Sequence, residues 1–131
     1  MKREKLIISI IRYVLALILL VFGLNGLIGF LPIPESQDAA SRFLKALGDT
    51  GYMFPVLYGS ELIIAVLLLF KKTVPLALIL FSPIAINILF YHLFLDPAGG
   101  VAGYFTVLLT LVMVINYYDR LKLILHENIY E

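Results

Sequence analysis

The sequence predicts an all-α fold: an integral membrane four-helix bundle with a short amphipathic helix between its first two spans. Two observations carry this expectation. Of 131 residues, 62% are hydrophobic and 15% are charged, whereas a soluble domain is roughly half apolar and a quarter charged. The excess needs lipid to absorb it. The apolar residues also fall into four runs, and about 20 residues suffice to cross the hydrocarbon core. The length allows one transmembrane domain over residues 1–131.

The first run follows a basic opening, Lys2, Arg3 and Lys5, and is expected to form a span over about 6–30. A signal peptide begins the same way, but this run is longer and no small-x-small cleavage site precedes Pro32. Gly23 and Gly26 lie one turn apart near its far end, a spacing that lets two helix backbones approach closely. Pro32 and Pro34 are expected to stop the helix, since each lacks an N–H and restrains its predecessor. In the segment 36–48, Ala40, Phe43, Leu44 and Leu47 recur at helical spacing opposite Asp38, Ser41, Arg42 and Lys45. This pattern predicts an amphipathic helix, a lid over the outer mouth or a plain connector.

The second span is expected over 54–70 and contains one charge, Glu61. Lys71 and Lys72 separate it from a third span over 74–95, which carries Ser82, Pro83, Asn87, Tyr91 and His92. Asp96-Pro-Ala-Gly-Gly100 reads as a turn, a fourth span follows over 101–118, and 119–131 reads as an interfacial or cytosolic tail. Lys2, Arg3, Lys5, Lys71, Lys72, Arg120 and Lys122 all fall on one side of such a bundle. The positive-inside rule then places both termini in the cytosol.

Composition also excludes. A net charge of +1 argues against a nucleic-acid partner, and the absence of cysteine removes disulfides, thiolate metal sites, iron–sulfur clusters and thiol relays. No metal site is expected. His126 falls on the cytosolic side, so it and His92 cannot clamp one haem within a monomer.

The intramembrane polar residues are the candidate site. At the helical rise, Glu61 lies about 10 Å below the outer end of its span and Asn87 about 20 Å above the inner end of the next. The two then share a level, with Asn25 and His92 nearer the outer boundary. An ionised carboxylate in hydrocarbon is costly unless paired. Glu61 is expected either to hold its proton and donate a hydrogen bond or to face water or a cation. A protonated carboxyl can exchange its proton with a bound headgroup. The competing reading makes it glue, hydrogen-bonded to Asn25, Asn87 or Tyr58. Asn87 and Tyr91 share a helix face with Pro83, which frees a carbonyl and is expected to bend the helix and open a pocket. His92 is turned from Asn87 by about 140° and reads as a hydrogen-bonded boundary residue or a proton relay. Arg12 either snorkels to the cytosolic headgroups or forms a buried ion pair with Glu61 across about 11 Å of depth.

Arg12, Phe22-Gly23-Leu24-Asn25, Glu61 with Leu67-Leu68-Leu69, and Pro83, Asn87 and His92 resemble the DoxX-like family of small four-helix membrane proteins. The resemblance covers nearly the whole chain and implies a bacterial inner-membrane location. It implies association with quinol oxidase or thiosulfate:quinone oxidoreductase complexes, with quinone the candidate cofactor. Many members carry a basic residue after the position of Asn25, where this chain has Gly26. Three functions follow as expectations. The first is a redox-linked accessory subunit binding a quinone-like or lipidic molecule in an outer-half pocket near Glu61, with a membrane partner subunit or a second copy. The second is a structural or assembly protein with no catalytic site. The third is a small carrier for an amphipathic solute.

Overall fold

The computed structural model describes residues 2–32 and 38–126. Among them the chain is entirely helical: α1 (Lys2–Ile28), α2 (Asp38–Asp49), α3 (Met53–Leu69), α4 (Val74–Phe94), α5 (Val101–Asn116) and α6 (Tyr118–His126). Two of these, α1 and α4, are long and apolar enough to cross a membrane. The number rises to four if α2 with α3, bent by 90°, and α5 with α6, bent by 66°, each count as one broken span. Pro34 and the expected start of the amphipathic helix at 36–37 lie outside the described residues, as does the end of the tail from 127.

Helix contacts close into a ring: α1 packs on α3, α3 on α4, α4 on α5 and α5 on α1, with α1 and α3 sharing the largest interface. Each helix contributes one buried stripe at helical spacing. In α1 this is Arg12, Leu15, Ala16, Leu19 and Gly23, and in α3 it is Glu61, Ile64, Ala65 and Leu68. Phe81, Leu78 and Met113 fill the centre from α4 and α5. The opposite faces are apolar too: Leu6, Ile10, Leu17, Val56, Ile63, Phe90 and Leu108 are all exposed. Helices apolar all round are what hydrocarbon surroundings select.

α1 ends at Ile28, before the prolines, and the reason is local. Gly29 takes φ +73°, a left-handed conformation that stops a helix and that glycine adopts without a side-chain penalty. Its N–H donates to the Asn25 carbonyl at 2.7 Å, and the Leu31 N–H donates to the Asn25 side chain at 2.5 Å. Gly51 at φ +76° makes the corresponding corner between α2 and α3. α4 runs unbroken through Pro83.

The α3–α4 turn is closed by side chains. The Arg12 guanidinium donates to the carbonyls of Leu68 and Leu69, both at 3.0 Å. The Thr73 hydroxyl donates to Leu67 and Phe70 at 2.6 and 3.0 Å, and Arg120 reaches the Lys71 carbonyl at 3.4 Å. The last carbonyls of a helix have no partner within it and are met by side chains or water. Here three side chains, Arg12 from α1, Thr73 from the turn itself and Arg120 from α6, donate to the carbonyls of residues 67–71.

Candidate functional site

Glu61 sits on the core-facing stripe of α3 and is 6% exposed. Its Oε2 is sealed from solvent and has no hydrogen-bond partner. The only ion pair among the described residues is Lys45–Asp49, an exposed pair within α2. One oxygen of the Glu61 carboxyl is therefore closed off from solvent with no cation or donor beside it among the described residues.

Arg12 corrects both expectations made for it. It is 2% exposed, so it does not snorkel to the surface. Nor does it pair with Glu61, because its guanidinium is held at the end of α3. Leu69 and Glu61 are about 12 Å apart along that helix at its rise per residue. A cation at a helix C-terminus also offsets the partial negative charge there, and the Tyr13 ring lies 4.4 Å from the guanidinium carbon.

The other candidates do not converge on Glu61. Asn87 is exposed on the outer side of α4, and its amide donates to the Pro83 carbonyl one turn back at 2.9 Å. Glu61 lies about 12 Å above the turn and Asn87 about 20 Å above it, so the two differ in level as well as direction. The Pro83–Asn87 face therefore points outward and forms no pocket wall beside Glu61. Tyr91, half-buried, packs against Phe43 of α2 with centroids 6.0 Å apart. Asn25 is occupied in terminating α1. His92 lies against Gly100 and Gly103, where a Cβ would meet its ring. One ring nitrogen is 3.3 Å from the Asp96 carbonyl, and the rings of Tyr91 and Tyr104 flank it at 5.0 and 5.7 Å.

Tyr58 is the candidate nearest to Glu61, one turn above it on α3. Its ring lies on Gly26, where any Cβ would collide with it, and its carbonyl is 3.0 Å from where a Cβ on Gly23 would stand. The glycine pair of α1 thus lets α3 approach at the level of Tyr58 and Leu62. The same contact accounts for Gly26 where a basic side chain would have no room.

Thr106 and Thr110 were not singled out from the sequence. Both are buried on the inner face of α5, 3% and 5% exposed. Their hydroxyls donate to the carbonyls of Ala102 and Thr106, each at 2.8 Å. Counted from the start of α5 they lie about 8 and 14 Å deep, against about 12 Å for Glu61 in α3. The signal was available as two hydroxyls four residues apart, hence on one face. Ser82, bonded to Leu78 at 2.6 Å, and Thr110 also border a groove of about 160 Å³ between α4 and α5. A second groove, of about 220 Å³, runs between α1 and α3. Glu61 lines neither.

Comparison with family models, with curated proteins and with solved structures finds no match to this chain. Its chemistry is read from its own geometry.

Proposed function

We propose that the chain is a four-span inner-membrane protein of the DoxX-like type, with both termini in the cytosol. In this reading it serves as a redox-linked accessory subunit that takes a quinone-like or other lipidic molecule beside Glu61. The observation that carries the proposal is the carboxyl oxygen of Glu61, buried on the core-facing stripe without a partner. Leaving a buried polar group unpaired costs about 1–3 kcal/mol, so its retention points to use. A molecule with a carbonyl or hydroxyl headgroup that reached this oxygen would supply the missing partner and could exchange a proton with it. Thr106 and Thr110 would add hydroxyls at a similar depth.

A second reading, a structural or assembly protein, draws support from Asn25, Asn87 and His92, each engaged with nearby backbone, and from Arg12, one of whose guanidinium nitrogens holds the end of α3 while its Nε, like Glu61 Oε2, is buried without a partner. Purification in mild detergent, followed by mass spectrometry of co-purifying small molecules, separates the two. The wild type is expected to retain a hydrogen-bonding lipidic molecule that Glu61→Gln loses. Identical small-molecule content in both proteins would overturn the binding reading and leave the structural one.

A further inference from the structure

The groove between α1 and α3 ends at the α3–α4 turn, whose carbonyls are held by side chains. Tyr13, Ala16 and Leu17 line it from α1, and Ala65, Val66 and Leu69 from α3. Ala16 and Ala65 form its floor, both 3% exposed. Leu69 is the last residue of α3, so Lys71 and Lys72 follow directly at the groove's end, both exposed. Arg12, Thr73 and Arg120 consume the carbonyls of this turn. The turn is therefore fixed while its two lysine side chains stay unengaged. Among the described residues neither lysine has an ion-pair partner, and Asp119, exposed at the start of α6, pairs with neither.

Resting on the membrane reading above, we propose that this groove and its two lysines bind an anionic phospholipid. One acyl chain lies along the groove, and the phosphate lies on Lys71 and Lys72. The groove is elongated: its lining runs from Tyr13 to Leu20 of α1, about 10 Å at the helical rise, a shape that suits a stretch of acyl chain lying along it. The lysines select the charge, because each cation at a membrane surface strengthens attraction to anionic lipid. Arg120, held against the same turn, adds a third positive charge. A second copy fits less well. Two copies inserted in the same direction and related by a twofold axis along the membrane normal would bring their lysine pairs to one level, like charge against like.

The test is native mass spectrometry of the full chain in detergent with equal phosphatidylglycerol and phosphatidylcholine. Wild type is compared with the double variant Lys71→Gln, Lys72→Gln and with Val66→Phe. Val66 is 52% exposed, so a phenyl ring there fills the groove from outside without entering the core. The wild type is expected to prefer phosphatidylglycerol by on the order of tenfold, and the lysine variant to lose most of that preference. Val66→Phe is expected to reduce adducts of both lipids. An unchanged preference in the lysine variant, unchanged adducts in Val66→Phe, or a dimer that displaces lipid would each overturn the site. Co-sedimentation with phosphatidylcholine vesicles keeps the two failures apart. A chain that does not enter vesicles refutes the membrane reading, and one that enters but binds both lipids equally refutes the lipid site alone.

Discussion

Arg12 shows how a single buried side chain can close the end of a neighbouring helix. Its guanidinium serves two carbonyls at the end of α3, and bonds from a charged donor are worth about 1.5–3 kcal/mol each. Arg12→Met is therefore expected to lower stability by about 3 kcal/mol, read as a shift in the detergent-unfolding midpoint. Both bonds leave one terminal nitrogen, and Arg12→Lys should recover only part because the shorter lysine side chain ends before that nitrogen's position. At the other end of the α1–α3 interface, Gly26→Ala drives a methyl group into the Tyr58 ring. The expected loss is about 1–3 kcal/mol, and Tyr58→Leu should restore most of it. Additive losses in that double-mutant cycle would mean that the ring and the glycine do not touch in solution.

At the scale of elements, helix ends are decided by backbone and caps more than by apolar runs. The Cβ position of Gly29 is open, so the cost of Gly29→Ala comes from its φ of +73° alone. A loss of about 1–2 kcal/mol is expected, with Gly29→Asn milder because asparagine tolerates that conformation better. The same unfolding measurement decides it. Apolar length and breakers made the helical class readable from sequence, as did the polar residues that interrupt the runs. What those residues face was not readable. Asn87 was expected beside Glu61 because depth can be counted along one helix, but the rotation of α4 about its axis is set by packing with α3 and α5. Apolar residues ring that helix on every side, so its periodicity gives no preferred face. Arg12 failed differently: its depth was countable, yet its partners are backbone carbonyls, which every residue carries and no composition reveals.

For the whole molecule, the ring of contacts through α1, α3, α4 and α5, with apolar residues inside and out, is what the proposed four-span reading rests on. In it the sealed α3–α4 turn and the basic ends of α1 and α6 lie on one side, and α2 with the α4–α5 turn on the other. The chain has no cysteine, so single cysteines introduced into it report their own exposure without background. The measurement is labelling by a membrane-impermeant thiol reagent, with cysteine placed in turn at Lys5, Lys45, Lys72, Ala98 and Lys122. Positions 45 and 98 are expected to label in intact cells, and 5, 72 and 122 only after the membrane is opened. Labelling of 72 together with 45 from the same side of an intact membrane would contradict the four-span arrangement.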